Sequence, residues 1–369
     1  MASQQELLAL INKRINKTTN LIKEEGADGL LIFSQPNYRF LTNFTGEEAE
    51  LIVTAKGDRV LLSDSRFKDQ IKHQAPGEMK VVMQTMDVIQ EVAKQLKLLD
   101  LKNVLVEGEF ITATQFEALK LACPDIKFTL SAELVEKVRT VKDELELSAL
   151  QQAINISMES FKQILPLIKP GVSEREIGAK LDYFFKVNGG DGPSFDTIVA
   201  SGYRSSWAHG VASDKKIAKG ELVVIDFGSF YNGYTADITR TVAVGKVEPE
   251  LEKIYKIVLE AQRRGIEAAI AGNYGRDIDK AGRSYINEQG YGEYFGHGIG
   301  HGIGLELHEL CTPAMPYAKE ILKDNMAITV EPGIYLPDRG GVRIEDDILI
   351  KENTPITISN LPKDELMIL

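Results

Sequence analysis

The segment FGHGIGHGIGLELHE, residues 295–309, carries His297, His301 and His308 in a chain that has only five histidines. A fourth, His209, lies in the stretch SSWAHGVAS. A lone histidine is most often structural. Three in so short a stretch point to a ligand or catalytic cluster, because imidazole binds metals and exchanges protons near neutral pH. Gly296, Gly298, Gly300, Gly302 and Gly304 disfavour a helix here. Extended or bulged backbone is expected instead, with the glycines allowing close approach of other segments. The stretch is not a phosphate loop, since it contains neither GxGxxG nor GxxxxGK[ST].

Carboxylates supply a second set of candidates. LVVIDFGSFYNGYTADITRTVAV (222–244) contains Asn232-Gly233, a strong type I′ hairpin signal. With those two residues as the turn centre, Asp226 faces Thr239 and Asp237 faces Gly228. The aspartates then become diagonal neighbours on one face, roughly 7–8 Å apart at Cα. That separation suits two carboxylates flanking a pair of cations. A solvated strand face is the alternative. It fits poorly with Val223, Val224, Ile225 and Phe227, which make the strand apolar on both faces. Two further carboxylates lie near the C-terminus. In VRIEDDILI (342–350), Arg343 and Glu345 alternate with Val342 and Ile344; taken alone, this reads as a salt-bridged edge. In AITVEPGIY (327–335), Glu331 ends an apolar strand just before a Pro-Gly turn, a common site position but a weak signal by itself.

These residues need elements to position them. Residues 3–25 read as an amphipathic helix ending at Gly26. GLLIF (29–33) reads as a buried strand, 50–64 as a hairpin, and 103–108 as a strand followed by a helix to about 122. This is a compact α/β unit. The charged segment 131–150 leads into a long helix that stops near Pro166 to Gly171. Ser173 and Glu176 form a capping box for the next helix. Further helices are expected at about 249–271 and 275–289. The fold class is therefore α/β (α+β) in two domains, 1–132 and 133–369, with no solenoid repeat.

Composition narrows the function. A net charge of −11 argues against nucleic-acid or anionic-membrane partners. No run approaches the ~18 apolar residues of a membrane helix, and the first residues lack the apolar core of a signal peptide. Cys123 and Cys311 form no metal spacing and no disulfide framework. They are expected to be buried or inert thiols in a reducing cytoplasm.

Together the motifs resemble the M24 metallopeptidases, which share the pita-bread fold with methionine aminopeptidase and creatinase. Within that family they are most similar to the Xaa-Pro peptidases, aminopeptidase P and prolidase. The matching stretches are residues 194–245, FGHGIGHGIGLELHE, and ITVEPGIYLPDRGGVRIEDDILI (328–350). FLTNFTGEEAELIVT (40–54) resembles the amino-terminal domain of creatinase and prolidase relatives.

The resemblance implies two divalent cations held by Asp226, Asp237, His301, Glu331 and Glu345. Asp237 and Glu345 would bridge. His301 is preferred to His297 because the family's ligand histidine has a second histidine seven residues later, here His308. His209, His297 and His308 would surround the substrate, and Arg343 would organise the carboxylates. Glu331 would also carry the proton to the leaving amine, and His297, neutral, or His308, protonated, would stabilise the oxyanion. A cation pair lowers the pKa of water from 15.7 toward about 7. Oxygen-rich ligation with one imidazole and no thiolate favours Mn²⁺ or Co²⁺ over a structural Zn²⁺.

The expected substrate is a short proline-containing peptide, and relatives suggest a homodimer. No arginine occurs between Arg283 and Arg339, where prolidase relatives are thought to use one to hold a dipeptide's carboxylate. That favours an Xaa-Pro aminopeptidase, with an Xaa-Pro dipeptidase as the alternative and Lys319 as a substitute charge. A non-catalytic pita-bread binding module is a remote third reading. Trp207-Ala208 before His209 and Leu310 after the HE pair depart from the family pattern and could reshape the first-residue pocket.

Overall fold

The computed structural model describes residues 3–83, 87–309 and 314–369. Leu310 and Cys311 fall outside the described residues. The chain divides into two compact units, Met1–Arg139 and Thr140–Leu369.

The first unit is built on six strands: β1 (Gly29–Ile32), β2 (Ala49–Thr54), β3 (Arg59–Ser63), β4 (Lys80–Met83), β5 (Asn103–Glu107) and β6 (Lys127–Ser131). Their order is β4-β3-β2-β1-β5-β6. The β2–β3 hairpin and β1–β2 are antiparallel, whereas β1–β5 and β5–β6 are parallel. Six helices accompany them: α1 (Gln4–Glu24), α2 (Gln35–Thr42), α3 (Lys68–Gln74), α4 (Val88–Leu98), α5 (Ala113–Ala122) and α6 (Leu134–Arg139). Ser3 and Glu6 close a capping box on α1, and Gly26 follows that helix at φ +67°, a conformation glycine adopts without penalty.

Leu31, Ile52, Val92, Leu96, Val104 and Val106 form the core. Cys123 lies in it, 1% exposed, and burial pushes its thiol pKa up, as expected of an inert cysteine. The unit runs to Arg139, beyond the boundary at 132 placed from sequence. Helix α6 is tied back into it: Arg139 donates to Asn37 Oδ1 at 2.7 Å, and Asn37 donates to Glu136 at 2.5 Å.

The second unit opens with α7 (Glu144–Ile164), capped by Asp143, and α8 (Glu174–Val187), whose capping box is Ser173 and Glu176. Strands β7 (Gly192–Pro193), β8 (Ile198–Ser201), β9 (Glu221–Phe227), β10 (Ser229–Tyr231), β11 (Tyr234–Thr235) and β12 (Ile238–Val244) follow. After α9 (Pro249–Ala268) and α10 (Gly275–Glu288) come β13 (Ala327–Val330), β14 (Gly333–Leu336), β15 (Gly340–Arg343), β16 (Asp346–Leu349), β17 (Ile356–Thr357) and β18 (Met367–Ile368). These strands form four small sheets, ordered β11-β10-β7, β18-β12-β9-β8, β13-β16-β17 and β14-β15. One face of α9 packs Leu251, Ile254 and Val258 into a core shared with Ile278 of α10 and with Ile328, Val330, Val342 and Ile348 of the strands. The charged face is left to solvent, as an amphipathic helix requires.

Both C-terminal runs are broken, the first at the Pro-Gly turn expected after Glu331 and the second inside a stretch that reads as one strand. The chain leaves β13 at Glu331-Pro332 and re-enters as β14. It leaves β15 at Ile344-Glu345 and re-enters as β16. The breaks let one ribbon pair within two different sheets, β13 with β16 and β14 with β15.

Candidate metal centre

The hairpin of β9 to β12 carries the first two carboxylates. Asn232 and Gly233 both have positive φ, +48° and +77°, as a type I′ turn demands. Asp226 faces Thr239 and Phe227 faces Ile238, the register set by that turn. Gly228 lies so close to Ala236 that a Cβ there would sit 1.7 Å from the Ala236 carbonyl oxygen. Only glycine allows the hairpin to close at this point.

The histidine stretch runs extended along β13. Glu331 N–H donates to Ile299 O at 2.7 Å, Thr329 N–H to His301 O at 2.8 Å, and Ile303 N–H to Ala327 O at 3.1 Å. A Cβ on Gly300 would sit 2.0 Å from Thr329 O, so this glycine permits the approach of β13, as anticipated. The pairing places His301 beside the β13 end, where Glu331 emerges. The break after β15 then delivers Glu345, whose N–H donates to Thr239 O at 3.1 Å.

The five candidate ligands are thereby brought together. His301 Nε2 lies 3.3 Å from Asp237 Oδ2 and 3.6 Å from Glu331 Oε1. Ligand atoms of Asp237, His301 and Glu345 all fall within 4.8 Å of one another. His301 Nδ1 sits 3.1 Å from Gly302 O. A proton on Nδ1 donated to that carbonyl leaves the Nε2 lone pair facing the acids. Asp237 and Glu345 are 6% and 1% exposed, so neither is the solvated edge that the sequence left open.

Electrostatics favour a cation here. Burial, reinforced by Asp226 and Glu331, holds the Asp237 carboxyl well above its ordinary range. Burial, with Asp237 and Glu331 next, does the same to Glu345. Glu331 is also raised, chiefly by burial. Asp226 Oδ1 and Glu345 Oε1 are buried without a hydrogen-bond donor. Buried acids with idle oxygens and like-charged neighbours are costly unless paired or coordinated. Two divalent ions fit this donor set of four carboxylates and one imidazole.

Arg343 contacts Asp226 directly and reaches Glu345 through Thr239. Its Nη2 donates to Asp226 Oδ2 at 2.6 Å, and its Nε to Thr239 Oγ1 at 3.1 Å. Thr239 in turn donates to Glu345 Oε2 at 2.6 Å. Arg343 Nη1 reaches Ala208 O at 3.0 Å and the Tyr335 hydroxyl at 2.9 Å.

The other histidines divide into two kinds. His297 has both ring nitrogens engaged, Nδ1 with Gly298 O at 2.8 Å and Nε2 with the Tyr335 hydroxyl at 2.9 Å. A carbonyl only accepts, so Nδ1 carries the proton and Nε2 receives the tyrosine O–H. Burial pushes the His297 pKa down to about 4. His308 packs its ring 4.1 Å from that of His301. Burial, then the neighbouring imidazoles, brings its pKa down to about 4, which favours a neutral ring over the protonated one expected. His209 is exposed and close enough to act electrostatically on both His297 and His308.

Residues not singled out from sequence also belong to this network. Tyr335 links Arg343 to His297. Asp347 accepts from the Asp237 N–H at 3.2 Å. Asp279 accepts Ile299 N–H at 3.1 Å and pairs with Arg283, which donates to Phe295 O and His297 O. The aspartate and arginine thus hold both flanks of the first histidine.

Comparison with known proteins agrees with this geometry. Residues 148–352 match metallopeptidase family M24, and residues 14–141 match the Creatinase/Prolidase N-terminal domain. The chain belongs to metallopeptidase family M24. Among solved structures, an Xaa-Pro dipeptidase from Bacillus anthracis is 43% identical, covering 97% of this chain and 100% of that one, with a TM-score of 0.94. An X-Pro aminopeptidase from Thermotoga maritima is 38% identical, with coverages of 93% and 98% and a TM-score of 0.86. An Xaa-Pro dipeptidase from Pyrococcus horikoshii is 37% identical over 93% of this chain and 96% of its own. This M24 enzyme therefore has the two-domain architecture of the creatinase and prolidase group, as the motifs implied.

Proposed function

We propose that the protein is an Xaa-Pro dipeptidase, a prolidase, whose two divalent ions are held by Asp226, Asp237, His301, Glu331 and Glu345. The observation that carries the choice of dipeptidase is the Xaa-Pro dipeptidase from Bacillus anthracis, 43% identical and matched over its whole length. The absence of an arginine between Arg283 and Arg339 favours an Xaa-Pro aminopeptidase, and this is the second reading. One missing side chain weighs less than full-length similarity, so the order expected from sequence is reversed. Lys319 is exposed and offers the substrate carboxylate a point charge at most.

When bound, the ions would polarise the scissile carbonyl and make a water nucleophilic at neutral pH. The protein's own groups do the rest. Glu331, raised in pKa by burial, takes a proton and delivers it to the proline nitrogen as the peptide bond breaks. His297 is committed to Gly298 and Tyr335, so it orients rather than touches substrate. His209 and His308 are the imidazoles left to face the tetrahedral oxygen. Arg343 fixes Asp226 and, through Tyr335, His297. The donor chemistry suits Mn²⁺.

A cytoplasmic setting and a homodimer complete the proposal by analogy with relatives. No helix among the described residues is long and apolar enough to cross a membrane. Sedimentation tests the dimer.

The deciding experiment compares cleavage of Xaa-Pro and Xaa-Pro-Yaa with added Mn²⁺ and with EDTA. A dipeptidase releases proline from Xaa-Pro and leaves the tripeptide intact. Faster tripeptide cleavage establishes the second reading, and no metal-dependent cleavage of either removes both.

A further inference from the structure

His209 lies on a loop running from Ser201, the last residue of β8, to Lys216, and that loop is held by a buried ion pair. Glu174, the first residue of α8, is 0% exposed. Its carboxylate accepts from Ser201 N–H at 2.8 Å, Ser201 Oγ at 2.9 Å, Ser213 N–H at 3.2 Å and Ser213 Oγ at 2.6 Å. It also accepts from Arg204 Nη1. Arg204 sends Nη2 to Val211 O at 2.9 Å. One carboxylate and one guanidinium thus hold the loop at 201, 204, 211 and 213. Trp207 and Ala208 sit between these anchors, and Ala208 O accepts from Arg343. Arg204 also lies under the exposed Trp207 ring, 4.9 Å from its centroid.

A buried ion pair is weak evidence for stability, because desolvation offsets the attraction and a well-packed apolar pair often serves as well. Five donors converging on Glu174 do, however, select one loop conformation. We propose that Glu174 and Arg204 are positioning residues for peptide hydrolysis, holding the 201–213 loop so that His209 stands beside His297 and His308. Neither residue is among the candidate metal ligands; they act through the backbone that carries His209. The inference rests on the peptidase reading.

The test uses Glu174→Gln, which keeps the shape but removes the charge, and Arg204→Lys, which keeps the charge but loses the fork. Trp207 is the only tryptophan in the chain, so acrylamide quenching of intrinsic fluorescence reports on this loop alone, without turnover. Metal content, circular dichroism, kcat and KM on Xaa-Pro complete the set, each measured also in a His209→Ala background. Both variants are expected to stay folded and fully metal-loaded, with Trp207 quenched more readily. With His209 present, kcat should fall by about tenfold to a hundredfold, the range for a misplaced reacting group. With His209→Ala, the same substitutions should cost no more than about threefold, because coupled residues do not add.

Losses of equal size in both backgrounds, unchanged Trp207 quenching, or depleted metal would each overturn the proposal. Should one variant fail to fold, the other carries the same comparison. A wild-type enzyme inactive on every Xaa-Pro substrate removes the peptidase reading and this inference together. An active wild type with additive losses removes only this inference.

Discussion

Asp237 is the residue on which the site turns. It faces His301 across 3.3 Å and lies within 4.8 Å of a Glu345 oxygen, and burial, then Asp226 and Glu331, raises its carboxyl. Asp237→Ala is expected to abolish metal loading and hydrolysis together. Elemental analysis showing full metal content in that variant would refute the bridging role. Tyr335→Phe should keep its metal and lose about tenfold in kcat/KM. One hydrogen bond to a charged group is worth roughly 1.5 kcal/mol, and this hydroxyl joins Arg343 to His297. The aspartate pair was legible because Asn232-Gly233 fixes the hairpin register from sequence alone. Tyr335 was not. In the run PGIYL it is an ordinary strand aromatic, and its meaning arises only when β14 folds against β15, placing its hydroxyl against Arg343.

Glycines at two crossings let the elements come close enough to share a site. Gly300→Ala would drive a Cβ to 2.0 Å from Thr329 O. The 299–303 stretch must then lift from β13, and His301 moves with it. The variant should unfold more easily by several kcal/mol in urea, as buried clashes do, and bind Mn²⁺ more weakly by calorimetry. Unchanged affinity would mean that the strand pairing does not place His301. The strand break at Glu331 was signalled by Pro332-Gly333, whereas the one at Glu345 was hidden by the alternating pattern, which runs on through 342–350. What breaks that second run is the choice of partner sheet, a tertiary event that local periodicity cannot encode.

Across the whole molecule, the amino-terminal unit holds a titrating group of its own. Glu107 accepts from Phe33 N–H and Ser34 N–H, each at 2.8 Å, and from Asn37 at 2.7 Å. Burial nevertheless pushes its pKa up to about 7. The folded state therefore holds a proton that the unfolded chain, with a value near 4.5, releases. Stability from this group is full below about 4.5 and is lost as pH rises through about 7. Relative to Glu107→Gln, the wild type should lose melting temperature between pH 5 and pH 8; parallel curves for the two would exclude Glu107 as the source. The division into two units was evident from sequence, because the α/β pattern gives way to long helices. The end of the first unit was not, since α6 is held by Asn37, far upstream.

The convergence of donors from four distant stretches of chain has a thermodynamic corollary. An unfolded chain cannot offer them at once, so an ion captured there is mortar as well as reagent. Mass action then raises the melting point with free Mn²⁺ by an amount equivalent to about 2.7 kcal/mol at a hundredfold excess over Kd. Chelation should make the carboxy-terminal unit the frailer half of the enzyme.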